Sequence, residues 1–210
     1  MKIGLSFQKV LLFYMIITLI NQKGGVGKTT SAYLIACALK EAGVSVVIED
    51  LDPQKSLTNA VKRTGELQTL EENPSADHII QDLPGHLNLD DPSNMNLVKG
   101  AIAASDRIII PSELSIMSVE TSVLTAIVTK KYIKKGAKSY VLFSKVRAST
   151  TLGKQDQSTL ASTIGMKALK NFLPLSSSYE LAPHIGYVQA LSSNSKCRRI
   201  VEQLALEILS

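Results

Sequence analysis

The sequence predicts a single α/β domain in which a mostly parallel, twisted sheet is flanked by helices. Three observations lead to this fold class. β-rich apolar runs alternate with helical patterns along the chain, which is typical of strand–helix–strand units. A glycine-rich loop at residues 21–27 separates the first predicted strand from the first predicted helix. The chain has 210 residues, 45% of them hydrophobic and 20% charged, which is the composition of one globular domain.

Residues 1–14 are expected to be an extension ahead of the domain, which would run over residues 15–210. The apolar run at residues 10–20 is too short to span a bilayer, since a spanning helix takes about 20 residues. No small-residue cleavage site of a signal peptide follows it. Met15 and the apolar residues after it would make a complete first strand, so Met15 is a candidate for the native translation start.

The remaining elements follow in order from the hydrophobic periodicity. Strands are expected at residues 16–20, 44–49, 78–83, 107–110, 140–143 and 168–173, with Pro111 ending the fourth. Helices are expected at 28–42, 55–62, 94–104, 116–135, 152–164 and 194–209, and a weaker helical pattern covers 67–73. The stretch at 63–76 looks too short for a further strand and helix, so an element of related folds is expected to be missing there.

Charge is unevenly distributed along the chain. Residues 1–98 carry 8 Lys and Arg against 11 Asp and Glu, a net −3, whereas residues 99–210 carry 15 against 7, a net +8. A basic second half favours an anionic partner, either nucleic acid or a membrane surface, although solvated lysines alone could produce it. Cys37 and Cys197 lack a CxxC partner and the histidines are scattered, so neither a disulfide framework nor a transition-metal site is expected.

The glycine-rich loop carries the clearest chemical signal. Three of its glycines permit positive φ angles and turn successive backbone N–H groups toward a phosphate. The helix after the loop adds the positive end of its dipole. Lys28 is expected to reach the β- and γ-phosphates, and Thr29 to place its hydroxyl on Mg²⁺. The predicted phosphate site is the run Lys23, Gly24, Gly25, Val26, Gly27, Lys28, Thr29 and Thr30.

This run departs from the general GxxxxGK[ST] pattern, because Gln22 stands at the first glycine. It resembles the deviant Walker motif of the ParA/MinD superfamily at all of its positions. The resemblance implies a P-loop ATPase that binds ATP and Mg²⁺ and forms an ATP-sandwiched homodimer. It also implies that Lys23 is the signature lysine, which crosses the dimer interface and neutralises charge on the transferred phosphoryl group.

Acidic residues follow two of the predicted strands. Asp50 and Asp52 lie in a segment that resembles the ParA-type D-x-D-P-Q motif, and Asp82 resembles a Walker B carboxylate. The resemblance implies that Asp52 positions the attacking water and that Asp82 holds a water bound to Mg²⁺. Asp50 would support the switch or the Mg²⁺ shell, so the predicted metal residues are Thr29, Asp50 and Asp82. Aspartates that merely cap helices are the alternative.

Later segments extend the resemblance toward the C-terminus. Residues 104–111 are similar to a Ser-Asp, apolar strand and Pro element beside the family's switch. Pro174 and Pro183 are similar to the two prolines of a segment near the adenine. Each of these matches is weak by itself, since prolines at strand ends are common.

Within the superfamily, the DPQ segment and the following KSLTN resemble small plasmid-partition ATPases such as ParF. This implies segregation of a plasmid or chromosome, hydrolysis stimulated by a ParB/ParG-like centromere-binding adaptor, and a cytoplasmic, nucleoid-associated protein. Non-specific DNA binding is expected through Lys196, Arg198 and Arg199 at the start of the last helix, with a merely solvated helix start as the alternative. The lysines at 130–135 are expected to form a solvated face.

Two other functions remain open from the sequence. An ATPase that positions a protein cargo would have the same site. A MinD-like membrane-associated regulator is the third candidate, but no stable membrane association is expected, because the spacing of Ile200, Leu204 and Ile208 in the last predicted helix indicates core packing.

Overall fold

A computed structural model describes residues 14–85, 91–147, 149–150, 153 and 157–210. The expected extension at 1–14 therefore lies outside the described residues except for Tyr14. The strands are β1 Met15–Leu19, β2 Val46–Asp50, β3 His78–Asp82, β4 Arg107–Glu113, β5 Lys138–Ser144 and β6 Lys167–Ala168. The helices are α1 Lys28–Glu41, α2 Ser56–Thr64, α3 Pro92–Ala104, α4 Ile116–Tyr132, α5 Gln157–Ile164, α6 Ser177–Ile185, α7 Tyr187–Leu191 and α8 Ser195–Leu209.

The six strands form one sheet in the order β2-β3-β1-β4-β5-β6, and every pair is parallel. The predicted fold class is thus confirmed. The chain leaves β1 toward one side of the sheet and returns on the other side at β4, so the strand order reverses at β1. Ligands of open parallel sheets bind at the carboxyl ends of the strands at such a reversal, and the glycine-rich loop follows β1 at this place.

Two apolar layers cover the sheet. One face packs against α1, α6, α7 and α8, and the other packs against α3, α4 and α5. The central helix α1 is buried on most of its sides, which explains why its sequence is apolar almost throughout. Leu204 and Ile208 of α8 are fully buried and Ile200 is half-buried, so the core packing expected from their spacing is confirmed.

The segment at 67–73 is not helical, and the weak prediction of a helix there is wrong. Ile48 of β2 donates its backbone N–H to Gln68 O at 3.0 Å and accepts a bond from the N–H of Leu70 at 2.9 Å. The segment therefore pairs with the outer edge of the sheet through a single parallel bridge. Covering this edge satisfies backbone groups that a bare edge strand would expose.

Pro111 does not end β4, which continues to Glu113, so this expectation is also wrong. Ile109 O accepts a bond from the N–H of Ile20, which places Ile109 and Pro111 on the β1 side of the strand. Pro111 lies beyond the last paired residue of β1, and its carbonyl accepts a bond from the side chain of Asn21 at 2.7 Å. A proline is tolerated here because no neighbouring strand requires its missing N–H.

The C-terminal third differs most from the sequence prediction. The strand expected at 168–173 is reduced to Lys167–Ala168, and the bridge between Val146 and Pro174 continues the pairing beyond it. Helices α6 and α7 were not predicted. Pro183 inside α6 and Gly186 between the two helices break the periodicity on which such predictions rest. The predicted helix 152–164 begins within residues of which only Gly153 is described.

Candidate functional site

The glycine-rich loop reverses the chain between β1 and α1 through two left-handed residues. Gly25 has φ 78° and Gly27 has φ 84°, and residues with a Cβ rarely adopt this region. Gly27 is the N-cap of α1, but no side chain caps the helix and its first turn has no acidic residue. The positive end of α1 therefore faces the space above the loop, as an anion site requires.

Side chains of β5 and the loop itself hold this conformation. Ser144 Oγ donates to Val26 O at 2.7 Å, and Lys145 Nζ donates to Gly25 O at 2.6 Å. Lys28 Nζ donates to Lys23 O at 3.2 Å. Hydroxyl and ammonium groups thus donate hydrogen bonds to the carbonyl groups of the loop. The backbone N–H groups of the loop can then face a ligand.

Lys28 is 6% exposed. Burial lowers the pKa of its ammonium group, and the negative charges of Asp82 and Asp52 oppose this effect. A Cβ added to Gly85 would lie 3.0 Å from Lys28 Nζ, so the backbone of Gly85 lies close to the ammonium group. The lysine lines a cavity of about 360 Å³ together with Thr29, Asp52 and other residues of the loops. The phosphate lysine predicted from the motif thus faces a space of suitable size, with its charge poorly solvated.

Asp82 at the end of β3 is 1% exposed and accepts a hydrogen bond from Thr29 Oγ1 at 2.7 Å on its Oδ2. Its Oδ1 is buried without a hydrogen-bond partner among the described residues. Burial raises the pKa of Asp82 to about 7. A buried carboxylate with one free oxygen beside a hydroxyl is a donor set that suits Mg²⁺, directly or through its water. These two residues fit the ion that the motif implies.

Asp50 pairs in register with Asp82 on the neighbouring strand, but the carboxylate of Asp50 accepts hydrogen bonds from backbone N–H groups. Its Oδ1 accepts the N–H of Asp52 at 3.1 Å, and its Oδ2 accepts the N–H of Thr58 at 2.9 Å. Asp50 therefore holds the turn before α2 and its first helical residues. This geometry matches support of a switch segment and leaves Thr29 and Asp82 as the better placed metal residues.

Asp52 lies in the turn that Asp50 holds, and it is half-buried. Its Oδ1 accepts the N–H of Gln54 at 2.9 Å, and the residue lines the same cavity as Lys28 and Gly24. Lys23 is also half-buried, at the outer rim of the loop. The structure brings the carboxylate of Asp52 and the ammonium group of Lys28 to one cavity, and among the described residues the side chain of Lys23 has no ion-pair partner.

Asn21 was missed at the sequence level, although it stands at the start of the loop. Its side chain is fully buried, and its Nδ2 donates to Pro111 O and to Ser122 Oγ at 3.0 Å. Its Oδ1 accepts the N–H of Lys23 at 3.0 Å. Asn21 thus joins the loop to β4 and α4. A polar residue directly after an apolar strand was the available signal.

On the far side of the loop, the two predicted adenine prolines have different environments. Pro174 lines a narrow cavity with Gly27, Thr30 and Tyr179, next to the start of α1. Pro183 is buried in α6 and does not line this cavity; its carbonyl accepts a bond from Arg63 Nη1 at 3.1 Å. Pro174 therefore lies beside the start of α1, and Pro183 lies within α6, away from this cavity.

Glu66, which follows α2, was also missed. Its Oε2 accepts bonds from Tyr33 OH and from the N–H of Tyr187 at 2.6 Å, and its Oε1 accepts the N–H of Val188 at 3.2 Å. One carboxylate thereby ties α1 to the start of α7. No sequence signal marked it, because its partners in α7 lie more than 100 residues away in the chain and Tyr33 lies 33 residues away.

The three residues predicted to bind DNA are not equivalent. Lys196 and Arg199 are exposed at the start of α8. Arg198 forms ion pairs with Glu41 at 2.8 Å and with Glu202 at 3.1 Å. The charge of Arg198 is locally compensated, so the free positive charge of this run resides on its two neighbours.

No helix in the described ranges has the length and apolar character that crossing a membrane demands.

The sheet order, the glycine-rich loop and the strand-end carboxylates define a P-loop nucleotide-binding protein of the deviant Walker type. The family model described as an AAA domain matches residues 14–138. The solved structures with this fold include ParA and MinD proteins. The chain belongs to this AAA-domain family, and its fold is that of ParA and MinD proteins.

Curated relatives match over limited segments. The chromosome-partitioning ATPase Soj of Thermus thermophilus is 51% identical over 45 residues, 21% of this chain and 18% of Soj. The protein MJECL24 of Methanocaldococcus jannaschii is 28% identical over 121 residues, 57% of this chain and 43% of the relative. The chain therefore spans less than half the length of either relative.

Solved structures match over nearly the whole chain. An ATP complex of Cyanothece McdA has a TM-score of 0.68 at 16% identity, and the match covers 93% of this chain and 97% of the McdA chain. MinD of Aquifex aeolicus has a TM-score of 0.68 at 13% identity, with 93% and 94% covered. The ParA of pNOB8, bound to nonspecific DNA, has a TM-score of 0.65 at 16% identity, with 93% and 97% covered. At these identities the likeness establishes the fold.

Proposed function

We propose that the protein is a Mg²⁺-dependent ATPase that segregates a plasmid or chromosome through ATP-dependent dimerisation, non-specific DNA binding and hydrolysis stimulated by an adaptor protein. The observation that carries the ATPase part is the hydrogen bond between half-buried Thr29 and buried Asp82, which keeps a free carboxylate oxygen beside the poorly solvated Lys28. A cation and a phosphate chain would satisfy both groups. The role in segregation rests on the DPQ segment and on the Soj and ParA relatives.

The proposal gives a role to the loop and to the charged residues around it. The loop amides and Lys28 would bind the β- and γ-phosphates, and Thr29 and Asp82 would hold Mg²⁺, which would supply positive charge against the phosphate oxygens. Asp52 accepts a hydrogen bond from the attacking water and orients it. Lys23 enters the site of the partner subunit and stabilises charge on the transferred phosphoryl group.

Lys28→Ala tests the nucleotide site directly. Removing the ammonium group leaves the phosphate charge uncompensated in a poorly solvated cavity, so Mg²⁺-ATP affinity should fall by about a hundredfold or more. Isothermal titration calorimetry with Mg²⁺-ATP measures this, with the exposed Lys62→Ala as the matched control. Unchanged affinity in Lys28→Ala would refute the assignment of this loop.

The DNA part of the proposal concerns the start of α8. Lys196 and Arg199 are exposed, and they take no part in the ion pairs that Arg198 forms with Glu41 and Glu202. A dimer doubles this patch, and phosphate contacts from both subunits would release counterions from the duplex. Binding should therefore be independent of sequence, dependent on ATP and strongly weakened by salt.

The double variant Lys196→Ala/Arg199→Ala should weaken binding to unrelated duplexes equally. It should also reduce the slope of log affinity against log salt by about 1 for each lost phosphate contact. Fluorescence anisotropy with two unrelated duplexes measures both quantities. Arg198→Ala is the matched control and should have the smaller effect on DNA. An unchanged salt slope in the double variant would place the DNA on another surface, with residues 130–135 as the next candidate.

A further inference from the structure

Helix α4 turns hydroxyl side chains inward and large apolar side chains outward, which is unusual for a surface helix. Its fully buried residues include hydroxyl side chains, namely Ser118, Ser122, Thr125 and Thr129. Its outward face carries large apolar residues, with Ile116 74%, Met117 71%, Leu124 55% and Ile127 59% exposed. A helix at a protein surface normally places its apolar residues inward. Exposed apolar faces of this kind mark interaction sites.

Two of the four inward hydroxyl groups, those of Ser122 and Thr125, contact the start of the glycine-rich loop. Ser122 Oγ accepts a bond from Asn21 and donates to Ser118 O at 2.8 Å, and Thr125 Oγ1 accepts the N–H of Gln22 at 3.3 Å. These contacts support the start of the phosphate loop. The outward apolar face serves no such internal purpose, because none of the described elements covers it.

Four residues of the outward face lie on one line along the helix, which we call the seam. Glu120, Leu124, Ile127 and Lys131 are separated by four, three and four positions, which is the spacing of the seam between two packed helices. All four are exposed. Glu120 and Lys131 are about 16 Å apart along the axis at 1.5 Å per residue, too far to pair with each other. Neither forms an ion pair within the described part of the chain.

We propose that this seam binds a second copy of the chain, with the two α4 helices antiparallel about a two-fold axis. An axis between positions 125 and 126 places Leu124 against Ile127 of the partner subunit. The same axis places Glu120 against Lys131 of the partner subunit, and the symmetry repeats both contacts. A two-fold interface must be complementary to itself, and an apolar centre with one acidic and one basic end meets this condition.

The charges on the seam favour this occupant over others. An anionic membrane surface would attract Lys131 but repel Glu120, and an acidic partner protein would be affected in the same way. The seam uses none of the phosphate-site residues. The association therefore goes beyond the ATP-dependent dimer proposed above and should occur without nucleotide.

Sedimentation velocity of the full chain without nucleotide tests the apolar centre. The wild-type chain should dimerise, and Leu124→Gln/Ile127→Gln should raise the dissociation constant by more than about a hundredfold, because four buried apolar side chains are lost per dimer. Val188→Gln is the matched control, since Val188 is 48% exposed on α7 and outside the seam. Circular dichroism confirms that each variant is folded. A wild-type chain that stays monomeric at high micromolar concentration overturns the proposal.

Charge exchange tests the antiparallel register. Glu120→Lys or Lys131→Glu alone should weaken the dimer about tenfold, since each places like charges together at two symmetric contacts. Glu120→Lys/Lys131→Glu should restore wild-type affinity. A purely structural effect on the monomer could not produce this restoration, because the two residues do not touch within one chain. Failure of the double variant to recover would overturn the proposed arrangement.

Two further measurements separate this dimer from other associations. Lys28→Ala, which should lose ATP binding, should dimerise as the wild type does through the seam. Dimerisation that requires ATP and disappears in Lys28→Ala would overturn the seam proposal while supporting the ATP-dependent dimer. Co-sedimentation of a monomeric wild type with phosphatidylglycerol vesicles, lost in Leu124→Gln/Ile127→Gln, would overturn it in favour of a membrane surface.

Discussion

The two ends of the proposed nucleotide cleft are built from different kinds of contact. At the phosphate end, residues 21–30 form one continuous segment, and Asp50 and Asp82 lie in register at the ends of neighbouring strands. At the base end, Pro174 and the helices α6 and α7 are held by residues far away in the chain. Arg63 bonds the carbonyl of Pro183, and Glu66 bonds two amides at the start of α7.

This difference suggests that the phosphate end carries out ATP hydrolysis and that the base end positions the nucleotide. The phosphate end contains the charges that would change the stability of a transition state, so substitutions there should alter kcat. The base end contributes shape and anchoring, so substitutions there should alter KM through uniform binding. The predictions below test this division, beginning with the largest effect.

At the phosphate end, Lys23→Ala should reduce kcat for ATP hydrolysis by about a thousandfold, the effect expected of a charge supplied to the transferred phosphoryl group. Asp52→Ala should reduce kcat by about a hundredfold or more, since it orients only the water. Light scattering with ATP should still detect the dimer in Asp52→Ala and fail to detect it in Lys23→Ala. Identical behaviour of the two variants would contradict their separate roles.

Asp82 links the phosphate end to stability. Burial raises the pKa of folded Asp82 to about 7, above its ordinary value of 3.8, so between these pH values the folded state binds more protons than the unfolded state. The unfolding free energy of the ligand-free protein should therefore fall as the pH rises from about 4 to 8, by on the order of 3 kcal/mol from this group. Asp82→Asn should remove this loss and be more stable than the wild type at pH 8.

Urea unfolding at pH 5 and pH 8, without nucleotide or Mg²⁺, measures this difference. The same variant should lose Mg²⁺-dependent hydrolysis, because the amide carries no charge for the ion. A stability gain that is equal at both pH values would show that the carboxylate does not titrate in this range.

At the base end, Glu66→Gln should raise KM for ATP by about three- to tenfold and leave kcat nearly unchanged. Gln has the shape of the Glu side chain but lacks the negative charge that accepts several hydrogen bonds here. The unfolding free energy should therefore fall by about 1–3 kcal/mol. Steady-state kinetics and urea unfolding measure the two effects, with the exposed Glu71→Gln as control. A fall in kcat without a change in KM would break the proposed division between the two ends.

The same contrast explains which predictions from sequence succeeded. The strand, glycine loop and helix around Lys28 depend on neighbours within ten residues, and their types and approximate bounds are confirmed. The helix predicted at 67–73 failed because pairing with Ile48 outweighed a weak local preference. Pro111 was interpreted as a strand end because its position beyond the end of β1 is invisible in the sequence.

By itself, the sequence determined the parallel sheet, the phosphate loop and the residues at the strand ends, because these arise from local periodicity and from backbone conformations that only glycine adopts readily. Only the tertiary structure decided that Asp50 holds α2 while Asp82 keeps one oxygen free, that Glu66 anchors α7, and that α4 turns its hydroxyl groups inward. Except for the bonds of Asp50 to Asp52 and Thr58, these contacts join groups that lie more than 20 residues apart in the chain. Burial and hydrogen bonding between such distant groups follow from packing, which local patterns do not encode.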